Sequence, residues 1–175
     1  MFFGSRRRKA TKAVTDQIRP LFADIKRLIG PLPPEIANDK YVLGYIIAYI
    51  GLIMLVESDG RLSATDKGLV LFEGIKTALG DIAPSSEQLT TLLETENENA
   101  DFVRGAEAAK KIMCVTLGWP DYDGDPEIAA ARSGLLTAGK SLDFLTPGSS
   151  ENIKVAGLLQ SRLFFQYITQ RYGNH

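Results

Sequence analysis

The chain has 175 residues, of which 45% are hydrophobic and 23% are charged. These values are typical of one globular domain with a sizeable core, and they exclude wholesale disorder. A formal net charge of −1 argues against nucleic-acid binding by bulk electrostatics, and a single cysteine, Cys114, excludes a disulfide within the chain and fits the reducing cytoplasm.

An amphipathic helix is predicted over residues 6–29, because apolar residues recur there at intervals of three and four. Pro20 is expected to kink this helix or divide it in two, since proline lacks the N–H group and its ring clashes with the preceding turn. Gly30 and Pro31 are expected to end it. The predicted apolar face consists of Val14, Ile18, Leu21, Phe22, Ile25, Leu28 and Ile29.

The central helix of the domain is predicted over residues 41–57. Its first 16 residues, Tyr41 to Val56, carry no formal charge. A helix of that length is about 24 Å long, short of the roughly 30 Å hydrocarbon core of a bilayer, so a buried helix is favoured over a short membrane span. Gly44 and Gly51 lie seven residues apart on one face, where they would let a neighbouring helix approach closely.

Further helices follow from capping signals and apolar periodicity. Capping residues are Ser63 with Asp66, Ser85 with Gln88, Asn99, and Asp125 before Pro126. The predicted helices cover residues 64–79, about 86–97, 100–117, 126 to about Gly139, and about 150–172, with a further turn around 142–145. The predicted inner face of the 100–117 helix is Phe102, Val103, Ala106, Ala109, Ile112, Met113 and Leu117.

No alternating strand pattern persists along the chain. The breaks between helices are short, which indicates loops and not a domain linker. The predicted fold is therefore all-α: residues 1–175 form a single-domain bundle of about seven helices around the central apolar helix.

Two acidic turns each follow an apolar helix and precede another, and each contains Asp-Gly. Carboxylate oxygens favour hard divalent cations, so calcium or magnesium is expected in preference to zinc. Neither turn has the spacing of an EF-hand loop, because Leu55 stands at the first ligand position of one turn and Gly124 is misplaced in the other. The alternative is a pair of solvated turns in which Asp125 is a helix cap. The candidate ligands are Glu57, Asp59 and Asp66 in the first turn and Asp121, Asp123, Asp125 and Glu127 in the second.

The first turn and its flanking helices resemble the tellurite-resistance TerB-like family over about residues 41–80. The matching residues are Glu57, Asp59, Gly60, Leu62, Ser63 and Asp66. Asp66 stands where that family more often has Glu, and Ser58 stands where Ala is usual. The resemblance implies an all-helical acidic module that binds a divalent metal and is linked to stress response at the inner membrane surface. Among the candidate ligands, the resemblance supports only Glu57, Asp59 and Asp66. The second turn does not match the family motif, and its candidate ligands are proposed only because they are carboxylates.

The basic N-terminal helix is a candidate docking surface. Residues 1–30 carry eight basic and two acidic side chains, whereas residues 81–130 carry three basic and eleven acidic ones. This asymmetry indicates either a surface for a partner or opposite faces that match within the fold. Anionic lipid would attract the basic cluster, and the alternative is a solvated helix start within a mobile segment 1–9. The cluster consists of Arg6, Arg7, Arg8, Lys9 and Lys12.

Catalysis is disfavoured by the residues present. The single histidine, His175, is the last residue and a poor general base, and no glycine-rich phosphate loop occurs. A carboxylate-dependent hydrolase ranks last, since nothing supplies an oriented nucleophile or an oxyanion site.

Two functions are weighed. The first is a non-catalytic TerB-like module that holds a divalent cation in its acidic turns. The second is a metal-free scaffold that docks an unknown protein partner or an anionic membrane surface through its basic helix. Either protein would be cytoplasmic or lie at the inner face of a membrane, and a homo-oligomer is left open.

Overall fold

The computed structural model describes residues 3–96, 98–122, 124–136 and 148–173, and these residues form helices and connecting turns without a strand among them. A π-helical turn, Ser161–Phe165, joins α7 to α8 without interruption, and we call these three segments together the C-terminal rod. The predicted all-α bundle of about seven helices is confirmed. The predicted turn around 142–145 lies outside the described residues. The helices are α1 (Phe3–Ile29), α2 (Lys40–Ser58), α3 (Ala64–Leu79), α4 (Ser86–Thr95), α5 (Ala100–Leu117), α6 (Pro126–Leu136), α7 (Ser150–Gln160) and α8 (Gln166–Tyr172).

The helix starts are set locally, as predicted. The Ser63 hydroxyl accepts a hydrogen bond from the backbone N–H of Asp66 at the start of α3. Ser85 and Gln88 form a complete capping box at the start of α4, and the Asn99 side chain accepts two backbone N–H bonds at the start of α5. Each side chain satisfies donors that the first helical turn leaves unpaired.

The central helix α2 lies in the core of the bundle. Tyr45, Ile46 and Ile50 are fully buried in it. Within the described ranges α2 is the one helix long and apolar enough to cross a membrane. Its most apolar stretch of 18 residues has a mean hydropathy of 1.8, and 56% of that stretch is buried inside the bundle. The core helix of a soluble protein satisfies the same criteria of length and composition, so the apolar character of α2 is explained by its packing.

Helices α2 and α5 make the closest helix contact in the structure through two glycines. A Cβ atom added to Gly44 would overlap the backbone carbonyl of Phe102, and one added to Gly105 would overlap the carbonyl of Tyr41. Gly44 therefore has the predicted role, whereas Gly51 faces open space. Because neither glycine has a side chain, the two backbones touch directly.

The C-terminal rod fixes the relative direction of α2 and α5. It begins beside the end of α5, where the N–H of Gly148 donates to the carbonyl of Thr116. It ends beside the start of α2, where the Tyr167 hydroxyl donates to Asp39. The Lys40–Glu96 ion pair also places the start of α5 near the start of α2. The rod is therefore antiparallel to both helices, α2 and α5 run parallel, and the two acidic turns leave the bundle at the same end.

Residues of the predicted apolar patterns are exposed in α1, α3 and α5, which corrects the prediction: Leu28, Leu69, which is 45% exposed, and Val103. Leu28 is 51% exposed whereas the next residue, Ile29, is 6% exposed, since the two side chains point about 100° apart around the helix. Val103 is 42% exposed, since it lies one helical step away from Phe102, which faces α2.

Pro20 does not divide the first helix. It lies inside α1, which continues from Phe3 to Ile29 as one helix and so includes residues 3–9 of the basic segment. The Pro20 side chain is exposed, so the backbone carbonyl that loses its helical partner lies on the solvent side, where water satisfies it.

Candidate functional site

The first acidic turn reverses the chain between α2 and α3. Asp59 adopts the left-handed conformation, with φ 51° and ψ 35°, and Gly60 follows with φ 70°. The N–H of Gly60 donates to the carbonyl of Leu55 at 3.0 Å and closes the end of α2. Asp-Gly at this point is explained by the backbone, because both positions need a positive φ.

The basic N-terminal helix lies against the first acidic turn. The Lys9 ammonium is 3.2 Å from a Glu57 oxygen, and an Arg7 guanidinium nitrogen is 3.6 Å from an Asp66 oxygen. Two predicted metal ligands and two predicted surface cations therefore form ion pairs with each other. These pairs join the basic helix to the first acidic turn and not to the acidic residues of 81–130, so a match between those two charged ranges stays a prediction.

Side chains of the second acidic turn also have partners. Asp125 caps α6, accepting hydrogen bonds from the backbone N–H groups of Glu127 and Ile128. The Lys111 ammonium lies 2.8 Å from Asp125 and also pairs with Glu127. Burial by itself would raise the pKa of Asp125, but the bonds from Lys111 and from the backbone outweigh it and lower that pKa. The turn thus acts as a helix cap paired with a half-buried lysine.

Asp121 lies beside the single cysteine. The Cys114 thiol is buried and donates to Asp121 at 3.8 Å. Burial, together with the negative charge of Asp121, raises the pKa of Cys114 to about 11. The thiol is therefore protonated at neutral pH, which agrees with a packing role and not a nucleophilic one.

No cation site is visible in the described part of the chain: no group of three or more Asp, Glu, His or Cys side chains there could hold a metal ion. Asp123 lies outside the described residues, as does His175. The two turns share one end of the bundle, but Lys9, Arg7 and Lys111 already pair with carboxylates of both turns. A cation shared between the turns stays a prediction.

The outward side of α1 carries basic residues that do not face the acidic turn. Arg8 and Lys12 lie four residues apart on one exposed face, and Arg19 lies seven residues beyond Lys12. A groove of about 930 Å³ runs between this face and α3. We call it the α1–α3 groove; it is lined by Arg7, Arg8, Thr11, Lys12, Leu69 and Glu73.

The structure also contains a polar cluster that the sequence analysis missed. The Asp39 carboxylate is 2% exposed and accepts hydrogen bonds from the hydroxyls of Tyr167, at 2.9 Å, and Tyr172, at 2.7 Å. The Arg171 guanidinium donates to the same carboxylate at 2.9 Å. Asp39 also caps α2, since it accepts a hydrogen bond from the backbone N–H of Val42. The sequence feature that could have indicated this cluster is the spacing of Tyr167, Arg171 and Tyr172 at the end of the last helix.

A second cleft, of about 400 Å³, lies between α5 and the C-terminal rod. Its charged walls are largely neutralised, because Lys111 pairs with Glu127 and Glu107 pairs with Lys110. Hydrogen bonds from Lys110 and from the Tyr122 hydroxyl lower the pKa of Glu107. This arrangement gives a surface that is salt-bridged in part.

No protein-family model matches the chain, and no curated protein or solved structure matches it either. The resemblance to the TerB-like family therefore rests on the residues of the first turn alone.

Proposed function

We propose that this chain is a non-catalytic helical module that docks on an anionic membrane surface through α1. The observation that carries the proposal is the position of the cations on this helix: Arg6, Arg8 and Lys12 are exposed near one end of the bundle. The carboxylates of Glu57 and Asp66, which would repel anionic lipid, pair with Lys9 and Arg7.

Electrostatics supplies the attraction in this proposal. Each lysine or arginine close to an anionic leaflet contributes about 1 kcal/mol, so three exposed cations give a weak and reversible association. Such association needs a second signal, because one weak attraction alone does not hold a protein at a membrane. Leu69, which is 45% exposed in the α1–α3 groove, is the nearby apolar side chain that could supply it.

The cation-binding module implied by the TerB-like resemblance is kept as a separate prediction. It needs Glu57, Asp59 and Asp66 to bind a metal in competition with the basic helix. Docking on anionic lipid needs no such exchange, and for that reason we place it first.

Vesicle flotation tests the proposal. We expect the protein to float with vesicles containing phosphatidylserine at 50 mM salt, to be released at 500 mM salt, and not to float with phosphatidylcholine alone. The triple variant R6Q/R8Q/K12Q should lose binding. The matched control K26Q/R27Q/K154Q removes three exposed cations elsewhere and should retain it. Equal binding to neutral and anionic vesicles, or no binding to either, would overturn the proposal.

A further inference from the structure

We infer that the α1–α3 groove is the surface that contacts lipid headgroups, with Arg8 and Lys12 as the cations that bind them and Leu69 as the apolar contact. This inference rests on the proposed function and refines it. It divides the basic cluster into two parts that the sequence does not distinguish. Arg7, which also lines the groove, and Lys9 pair with carboxylates of the acidic turn, whereas in the described part of the chain Arg8 and Lys12 line the groove without such a pair.

The register of α1 against α3 places Leu69 beside these cations. Arg7 pairs with Asp66, and seven residues later Val14 packs close to Gly74. The two helices therefore run parallel, and Leu69, one turn beyond Asp66, lies level with the turn of α1 that follows Arg7. Leu69 is 45% exposed and lines the same groove as Arg8 and Lys12. The groove therefore offers lipid both an apolar contact and positive charge.

The two parts of the cluster meet different electrostatic environments. A phosphate approaching Lys9 or Arg7 also approaches Glu57 or Asp66, so attraction and repulsion largely cancel. On the groove side, the one acidic lining residue is Glu73, for which the described structure shows no ion pair with Arg8, and Lys12 forms an exposed ion pair with Asp16 within its own helix. Exposed pairs of this kind are weak and exchange readily for another anion. Glu73 lines the far side of the groove and works against the lipid.

The shape of the surface favours a bilayer over an acidic peptide. Arg8, Lys12 and Arg19 lie along the outward ridge of a 27-residue helix, over a length of about 16 Å. A planar array of headgroups reaches all three cations at once. A peptide would bury little apolar surface on such a ridge, since Leu69 is the one large exposed apolar side chain that lines the groove.

Two double variants of equal charge test the inference. R8Q/K12Q and R7Q/K9Q each remove two cations from the same six residues of α1, residues 7–12. In flotation with phosphatidylserine vesicles, R8Q/K12Q should lower the partition coefficient at least tenfold, and R7Q/K9Q less than threefold. E73Q should raise the coefficient, and L69Q should abolish the binding that persists at intermediate salt. Thermal unfolding of each variant separates a loss of binding from a loss of fold.

The outcomes distinguish this inference from the proposed function. Equal losses of vesicle binding in the two double variants would overturn the assignment of the groove as the lipid contact. Membrane docking itself would remain in place, because the total positive charge of α1 would then explain the binding. Absence of binding by the unmodified protein would overturn both. Binding of an acidic peptide such as polyglutamate without binding of vesicles would overturn the lipid assignment. Inorganic phosphate at 10 mM should not displace the protein from vesicles, and displacement would indicate a site for free phosphate instead.

Discussion

Gly44 of α2 and Gly105 of α5 bring their two helices so close together that the backbone of the opposite helix fills the space which a Cβ atom on either glycine would need. Gly44 lies against the carbonyl of Phe102, and Gly105 lies against the carbonyl of Tyr41. The contact is reciprocal, one turn apart on each helix, and at this point the two backbones touch directly. It sets the position of α5, and with it the second acidic turn, relative to the core helix.

Gly44→Ala should destabilise the domain, because a backbone carbonyl cannot move aside as a flexible side chain can. Overpacking of this kind costs about 1–3 kcal/mol in the free energy of unfolding. Gly51→Ala is the matched control on the same helix: nothing lies within 4 Å of its added Cβ, so it should be neutral or stabilising by up to about 1 kcal/mol. Urea unfolding measures both. A Gly44→Ala variant as stable as the unmodified protein would contradict the close contact.

Asp39→Ala should loosen the attachment of the C-terminal rod. The substitution removes the cap of α2 and leaves the hydroxyls of Tyr167 and Tyr172 without their acceptor. We expect a loss of about 2–4 kcal/mol in the free energy of unfolding.

Asp24→Ala serves as the control for Asp39→Ala, since Asp24 is half-exposed and pairs only with Arg27. Its cost should stay within about 0.5 kcal/mol. Hydrogen exchange should show faster opening of α8 in the Asp39 variant than in the Asp24 variant, and equal protection would indicate that the rod is held elsewhere.

The Lys111–Asp125 pair should make stability sensitive to acid. The pKa of Asp125 is lowered below its ordinary value of 3.8 in the folded protein, so the unfolded chain binds its proton first. The stabilisation is therefore present above about pH 4 and is lost as pH falls through the lowered folded pKa. Lys111→Met should cost about 1–2 kcal/mol at pH 7 and less at pH 3. A cost that does not change between these pH values would show that the pair has no part in acid sensitivity.

Thermal unfolding with and without added cation tests the predicted cation site. A calcium or magnesium ion bound to the native state raises the unfolding midpoint by mass action. We expect a rise of several degrees only at millimolar cation, since Lys9, Arg7 and Lys111 compete for the carboxylates. The double variant D59N/D123N should abolish the rise. No rise with calcium, magnesium, manganese or zinc would leave Asp59 as a turn-forming residue.

The candidate site was predictable in its parts but not in its arrangement. The acidic residues, the basic cluster and the capping side chains could be identified from the sequence, because each depends on neighbours within a few residues. The pairing of Lys9 with Glu57 was not predicted, since the match of charges considered from the sequence was between residues 1–30 and residues 81–130. The Asp39 cluster could not be foreseen, since Tyr172 is 133 residues away from it along the chain.

The sequence by itself determined the all-helical class, the helix starts and most of the buried stripe of α1, because capping and the 3.6-residue period act within one or two turns. The tertiary structure decided which charges meet, which glycine is packed and which apolar residues remain exposed. These outcomes depend on the direction and register of helices that are distant in sequence. Gly44 and Gly51 illustrate the difference: they are equivalent by spacing, but only Gly44 lies where α5 crosses α2.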